Sequence, residues 1–480
     1  MISAALRRKD VFGKLAKHSE SWTEGLGWMV SAAKRSSTSA RGIPLVWNQT
    51  HSNVGKWVLG TGGMVVGMIH IGGLTRLTMS GLSMTTWSPL GSLPPITRDE
   101  WEKEFDRYKS YPEWQQRKSM TLGEFQYIYA WEYGHRMLGR TVGMVFILPW
   151  IYFTARGKIP NGYQKNMAVL GLLGGTQGFV GWWMVKSGLG DDRRDNRNQI
   201  RVRPVRLTTH LTMAFSCYGA LLWTGWDILR LPSYQKENIT RLFSKIPRDQ
   251  IASLLRQGRN LRRGAISVTG LTAATIVTGA LVAGNDAGRA YNLWPKMTDD
   301  NWIAPEVWSF TADGNLNDRR GIWQLTTEDT ATTQFNHRML GQATGVTALG
   351  LMAFASGLAA KRTPVLTPQV SRGLVLMSTT ATAQAILGIV TILNYVPISL
   401  AALHQMGSVV VFTSSLYVVH SLKFINHPAL SKLVPVSAAA AATATAVVTK
   451  SSATGAMRRT PVVAASASKR YITNVPYTAK

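Results

Sequence analysis

His135-Arg-Met-Leu-Gly139-Arg-Thr-Val-Gly143 recurs in the second half of the chain as His337-Arg-Met-Leu-Gly341-Gln-Ala-Thr-Gly345. Five identical consecutive residues, followed by a glycine at the same helical phase, mark an internal duplication. Weaker echoes keep the same order around it. Gly72 to Trp87 resembles Gly279 to Trp294, and Gln177 with Gly181 parallels Gln384 with Gly388.

Hydropathy sets the size of the repeated unit. A helix needs roughly 20 mostly apolar residues to cross a hydrocarbon core about 30 Å thick. Eight stretches qualify, at 57–74, 138–154, 166–185, 207–229, 264–284, 340–360, 373–396 and 398–419, four to each copy. A soluble fold has no need of eight such runs nearly free of ionisable residues. With an even number of spans per copy, both copies enter the membrane from the same side and are related by an axis along the bilayer normal. The expected fold is an all-α membrane protein of eight transmembrane helices in two pseudo-symmetric four-helix bundles. The divisions are a first bundle over 46–230, a basic linker over 231–263 and a second bundle over 264–425. Pairs such as Gly63 with Gly67 and Gly171 with Gly175 have the spacing that lets helix backbones approach closely.

A net charge of +28 raises nucleic acid as a partner, so its location decides. Threaded through eight spans, one face receives 32 basic and 6 acidic residues, and the other 18 basic and 19 acidic. The excess charge is thus on one side, as the positive-inside rule requires, and both termini share that side. No nucleic-acid partner is implied. Residues 1–45 carry Arg7, Arg8, Lys9, Lys14, Lys17, Lys34, Arg35 and Arg41 with serines at 36–39, which suits a mitochondrial presequence; a plain basic tail is the alternative. Residues 426–480 read as a low-complexity basic tail. The single cysteine, Cys217, lies within a span and can form neither a disulfide nor a cysteine metal site within one chain.

His135 and His210 fall near the starts of spans two and four, and His337 and His404 at the matching places in spans six and eight. Ionisable groups within spans are costly and mark sites. Two imidazoles on different helices of a bundle can grip one porphyrin iron from opposite faces, so each half is a candidate haem site. Zinc or copper would want further ligands, and no cysteine or carboxylate cluster accompanies either pair. Because the even-numbered spans all begin on the less basic face, both haems would lie at similar depth, which argues against a wire across the bilayer. Arg136 and Arg338, beside histidines, and Arg76 are candidates to pair haem propionates or to anchor the interface. Gly139 and Gly341, one turn after a histidine, either admit a neighbouring helix or leave room for a flat ligand. His70 faces Val277 in the repeat and reads as a packing or supporting residue; His18, His51, His420 and His427 read as ordinary.

Taken together, Gly72-Gly-Leu-Thr-Arg-Leu-Thr78, Glu132-Tyr-Gly-His135-Arg, Thr209-His210, His337-Arg and Leu403-His404-Gln resemble haem A synthase, over about residues 55 to 425. Members of that family oxidise a ring methyl of haem O to a formyl group, giving haem A for cytochrome c oxidase assembly. The resemblance implies this oxidoreductase activity, in the mitochondrial inner membrane, with the basic face and both termini in the matrix. It also implies the farnesyltransferase that makes haem O (haem O synthase) upstream, mitochondrial ferredoxin as electron link, cytochrome c oxidase assembly factors as partners, and a possible homo-oligomer. Some bacterial members carry a cysteine pair in an outer loop, and this chain has none. Within this frame the first half takes substrate haem O through His135, His210, Arg136 and Arg76, and the second holds a haem B cofactor through His337, His404 and Arg338. Glu132 is the candidate base or proton relay, since Gln334 replaces it in the second copy; a solvated charge at the membrane edge, paired with a nearby arginine, is the alternative. A di-haem electron carrier or a haem-delivery protein without turnover is the rival function.

Overall fold

The computed structural model describes residues 49–434, apart from 85, 87, 89–90, 190–201, 231–232, 234–235, 310, 313–314, 320 and 361–362. The expected presequence and nearly all of the expected tail lie outside the described residues. Eight long helices carry the fold: α1 (Gln49–Leu77), α2 (Leu122–Ala155), α3 (Gln164–Lys186), α4 (Pro204–Arg230), α5 (Arg248–Gly284), α6 (Thr330–Ala359), α7 (Pro368–Leu393) and α8 (Ile398–Ser421). Seven of them are long and apolar enough to cross a membrane; the exception is α4. That helix carries Thr208, Thr209, His210 and Thr212 along its first half, and it buries Thr208, Thr224 and Asp227 against its neighbours. A helix enclosed by others meets little lipid, so its hydropathy can fall.

Within the first bundle α1 packs on α2 and α4, and α3 on α2 and α4; within the second, α5 packs on α6 and α8, and α7 on α6 and α8. The two patterns are the same. The bundles meet where α4 packs on α5 and α1 on α8, a reciprocal arrangement that follows from the pseudo-twofold axis. Even backbone detail repeats: Met79 just after α1 and Asp286 just after α5, at corresponding positions, both adopt left-handed conformations.

Two differences from the expected boundaries have physical causes. The second helix begins at Leu122 rather than 138, because its early turns bury Phe125, Ile128 and Tyr129 against the outer helix Arg98–Lys109 through Phe105 and Tyr108. Thr121 and Glu124 start it with reciprocal side-chain to backbone hydrogen bonds. The fifth helix begins at Arg248, so residues 248–263 of the expected linker are helical; Ile251, Leu255 and Leu261 join the second-half core on that side. The outer loop between α5 and α6 carries a short antiparallel hairpin, Thr311–Ala312 with Asn315–Arg319, the only strands among the described residues.

The glycine spacing misleads in part. A methyl group on Gly63, Gly67 or Gly175 would meet nothing within 4 Å, so among these residues only Gly171 is closely packed, with Trp150 at 2.9 Å. The tight helix approaches occur elsewhere, at Gly55 against Leu229 and at Gly225 against Leu59, both on the α1–α4 contact.

Candidate functional site

Each of the four span histidines lies against a glycine of the preceding helix. A Cβ built on Gly72 would sit 2.9 Å from the His135 ring, on Gly181 2.9 Å from His210, on Gly279 2.9 Å from His337, and on Gly388 2.9 Å from His404. These distances are shorter than real carbon contacts, so only glycine admits the imidazole there. Each glycine stands in the last two turns of an odd-numbered helix, which places all four rings at one end of the molecule. The repeated echoes around Gly72, Gly181, Gly279 and Gly388 thus have a purpose that spacing alone did not reveal. Gly139 and Gly341 are looser, with Met68 Cε at 3.4 Å and Thr275 Cγ2 at 3.9 Å.

In the second bundle the rings of His337 and His404 face each other with centroids 6.3 Å apart and planes at 86°. Two metal–nitrogen bonds of about 2 Å, on opposite sides of one iron, would separate imidazole centroids by roughly 6 Å. The spacing therefore fits a haem iron between them. His337 Nδ1 lies 3.0 Å from the Thr275 carbonyl oxygen and 3.2 Å from the Thr278 hydroxyl. Donation to that carbonyl leaves the lone pair on Nε2, the tautomer a metal requires. The Gln384 amide nitrogen lies 3.1 Å from His404 Nδ1 and donates to the His404 carbonyl at 2.8 Å.

The first bundle has the same skeleton with fewer braces. Gln177 donates to the His210 carbonyl at 3.0 Å, as Gln384 does in the repeat, yet His210 Nδ1 is buried with no partner. His135 has Ile71 where His337 has the Thr278 hydroxyl, and its ring turns Nε2 rather than Cε1 toward the glycine. His135 and His210 remain close enough to interact electrostatically. His70 is also in α1, with Nδ1 buried and unpaired.

The arginines beside His135 and His337 serve the loops. Arg136 donates to the carbonyls of Met84 at 2.9 Å and Thr86 at 2.8 Å, and Arg338 to those of Tyr291 at 3.0 Å, Leu293 at 2.7 Å and Lys296 at 3.2 Å. Met84 and Thr86 correspond in the repeat to Tyr291 and Leu293, so both arginines clamp the same loop over their bundle. Arg338 Nε stays buried without a partner, a donor free for a carboxylate. Arg76 crosses the bundle interface, donating to the Ala283 carbonyl at 3.0 Å and meeting Asp286 at 3.4 Å.

Glu132 is buried at 2 % exposure. Its Oε2 accepts from the Ser83 hydroxyl at 2.7 Å and the Met84 N–H at 2.8 Å, and Oε1 accepts from Arg136 at 2.6 Å. The arginine pairing weighed from the sequence is present, although the pair is buried rather than solvated. Gln334, its counterpart, donates to the Tyr291 carbonyl at 3.1 Å and leaves Oε1 unpaired.

Two clusters were not legible as such. In the outer loop, burial pushes the Glu113 carboxyl up to about 7 despite Arg117 beside it, and pushes the Tyr108 hydroxyl up as well. At the opposite end His420, read as ordinary, is fully buried and bonds Asp227 at 2.9 Å, while Lys423 reaches Asp227 at 2.7 Å. That trio ties α8 to α4, and nothing in the local sequence pairs residues so far apart.

An all-helical membrane protein with a pair of glycine-seated histidines in each duplicated bundle, the second pair face to face, is the class that fold and site define. The profile of the COX15-CtaA family, described as cytochrome oxidase assembly protein, matches residues 55–416, and the chain belongs to that family. Haem A synthase COX15 of Saccharomyces cerevisiae is 40% identical over 78% of this chain and 76% of the yeast protein. Its human counterpart is 39% identical over 77% of this chain and 82% of its own length. A haem A synthase–mitochondrial ferredoxin fusion protein of Schizosaccharomyces pombe is 37% identical over 75% of this chain and 58% of the fusion.

Proposed function

We propose that this protein is a haem A synthase of the mitochondrial inner membrane, an oxidoreductase acting on a CH group that converts a ring methyl of haem O to a formyl group. The observation that carries the reading is the duplicated glycine–histidine pairing, with His337 and His404 spaced for one iron, in a chain of this family. Haem O is held in the first bundle through His135 and His210, and haem B resides in the second through His337 and His404. The uneven bracing supports this division. His337 donates from Nδ1 to the Thr275 carbonyl, which suits a permanent cofactor, whereas His210 Nδ1 has no such partner and can release a substrate. The unpaired Arg338 Nε suits a propionate; Arg136 and Arg76 contribute positive charge at the first site.

The bound haem B supplies one-electron redox chemistry beside the substrate. The protein's own residues orient the substrate between His135 and His210 and take up the protons that methyl oxidation releases. Glu132, in the first half only, is the acid–base residue. The substrate comes from the haem O-forming farnesyltransferase, and the yeast fusion supports a ferredoxin electron link. Cytochrome c oxidase assembly factors receive the product. Both termini face the matrix, in keeping with the basic face of the chain.

The test is conversion by purified full-length protein given haem O, dioxygen as the oxidant and a reducing system, followed by haem extraction and chromatography. Haem A should accumulate with haem B constant. Glu132→Gln should bind haem O and leave it unconverted or stalled as a hydroxylated intermediate, with Gln334→Glu near normal. Haem O recovered unchanged from the wild type would refute the function, and normal conversion by Glu132→Gln would refute the role of Glu132.

A further inference from the structure

Ile69, Gly73 and Arg76 stand at i, i+4 and i+7 of α1, on one face of the helix, and that face is turned to the other bundle. Gln405, the residue after His404 on α8, donates from Nε2 to the Ile69 carbonyl at 2.8 Å. Its amide lies against the backbone at Gly73. A Cβ built there would overlap Oε1, with the amide carbon 2.6 Å and the amide nitrogen 2.8 Å away, so only glycine admits it. Arg76 donates to the Ala283 carbonyl at 3.0 Å, one turn of α5 beyond Gly279, which seats His337. Gly72, next to Gly73 but about 100° round the helix, seats His135. Residues 69–76 of α1 thus seat one ligand of the first bundle, hold α8 beside His404 and hold α5 beside the seat of His337.

The duplication does not require this tie. The twofold-related face of α5 carries Ile276, Ala280 and Ala283, and on α4 Leu211 follows His210 where Gln405 follows His404. None of those four side chains can form a hydrogen bond. The polar link between the bundles is therefore made once, from α1. An amide in an apolar interface costs free energy unless its hydrogen bonds are met, and packing alone would be served by leucine, as at 211.

From this arrangement we infer that Gln405 is a positioning residue whose hydrogen bond to Ile69, admitted by Gly73, fixes the distance and orientation between the haem sites of the two bundles. Arg76 steadies the same joint one turn further along α1. The inference rests on the reading that haem O and haem B occupy the two bundles. Gln405 acts through His404 beside it and through Gly72 beside Gly73, and no bond is made or broken in this role. A reaction that draws on both haems depends on their separation, and a misplacement of about 1 Å at a reacting centre can cost about 100-fold in rate.

The test uses full-length protein loaded with haem B and haem O and compares wild type, Gln405→Leu, Gly73→Ala, the double variant and Gly67→Ala. Gln405→Leu copies the residue at 211, and Gly73→Ala drives the amide off from the other side. Gly67→Ala is the control on the same helix, since a methyl there meets nothing within 4 Å. Electron paramagnetic resonance of the ferric protein reads the ligand set of each haem from its low-spin signal and the separation of the two from their mutual relaxation. Both single variants should keep their haem content and both low-spin signals, yet change the mutual relaxation. Their kcat for haem O should fall about tenfold or more, with KM within about twofold of wild type. The double variant breaks the same single contact, so it should be no worse than either alone, and Gly67→Ala should match wild type. Unchanged relaxation and kcat in Gln405→Leu, or losses that add in the double variant, would overturn the assignment. So would a double variant restored to wild type, because its alanine and leucine reproduce the Ala280 and Leu211 pair and packing alone would then suffice. Should Gln405→Leu fail to accumulate, Gly73→Ala carries the test, and wild-type relaxation in it is equally decisive against Gln405. A wild type that converts no haem O while the variants still alter relaxation would sink the proposed function and leave this role standing; a wild type that holds a single haem would end it.

Discussion

Replacing Gly279 by alanine should loosen the second-half haem, and the expected size follows from distances around His337. The new methyl would sit 2.9 Å from Cε1, 3.4 Å from Nδ1 and 3.6 Å from Nε2. Comfortable carbon contacts begin at about 3.5 Å, so the ring must retreat by roughly 0.6 Å or more. The Thr275 carbonyl and Thr278 hydroxyl that brace Nδ1 belong to α5, the same helix as Gly279, at 3.0 and 3.2 Å. Retreat from α5 therefore stretches both contacts past the range of useful hydrogen bonds. Loss of such a brace on a metal-bound histidine typically lowers metal affinity about 10- to 100-fold. Gly270 on the same helix is the control, since a methyl there meets nothing within 4 Å. The assay is haem B content and low-spin absorbance of purified protein, followed by the rate of haem loss to an excess of apomyoglobin. Gly279→Ala should lose haem at least tenfold faster than wild type, and Gly270→Ala should match it. Equal retention by Gly279→Ala, with an unchanged spectrum, would refute the account of these glycines as seats for ligand histidines.

Glu113 should also leave a mark on stability. Its folded value of about 7 lies above the unfolded 4.5, so the folded state binds the extra proton; the stability this gives is complete below about 4.5 and is lost as pH rises through 7. The loss is at most about 3 kcal/mol. Glu113→Gln should be relatively more stable than wild type at pH 8 than at pH 5 by thermal unfolding, and parallel curves would contradict it. Asp227→Asn removes the charge that Lys423 and His420 share beneath the bundle interface. Losing charge-assisted hydrogen bonds to a buried carboxylate costs about 1.5–3 kcal/mol, so the variant should melt earlier, and a wild-type melting temperature would count against this clamp. Finally, in mitoplasts the segment after residue 425 should resist protease added from the intermembrane side; cleavage there would overturn the orientation.

Much of the fold could be read because the duplication and the lipid boundary act on every turn of every span. The five-residue identity at His135 and His337, with apolar runs between, leaves few arrangements other than two like bundles. Helix ends were harder to see. Residues 122–137 and 248–263 are helical outside the apolar stretches, held by local packing of Phe125 and Tyr129 in one case and Ile251 and Leu255 in the other. Hydropathy reports on lipid contact and is silent about such extensions. For the same reason α4, sheltered by its neighbours, carries polar residues that blunt its hydropathy.

The site was legible where it repeats and obscure where it does not. Four histidines at paired positions identify themselves, whereas the glycines they rest on look like any others in glycine-rich helices until a Cβ is set 2.9 Å from each ring. The sequence offers the arginines after His135 and His337 as partners for haem propionates or as interfacial anchors, and most of their hydrogen-bond donors hold loop carbonyls, a demand set by tertiary structure. Once that common skeleton is subtracted, the copies differ at few places. Ile71 stands for Thr278, Glu132 for Gln334, and His210 lacks the Nδ1 contact that Gln384 makes to His404. The first and third leave the first bundle less firmly braced at its imidazoles, and the second gives it a carboxylate where the other copy has an amide. Exchanging Ile71 for threonine should therefore make the first bundle behave more like the second. The new hydroxyl would stand at the position of Thr278 and would hold His135 by Nδ1 once the ring turns over from its present Nε2-inward setting; haem O should then bind more tightly and be released as haem A more slowly. A variant that binds and releases as wild type would show that bracing at Nδ1 does not distinguish substrate from cofactor.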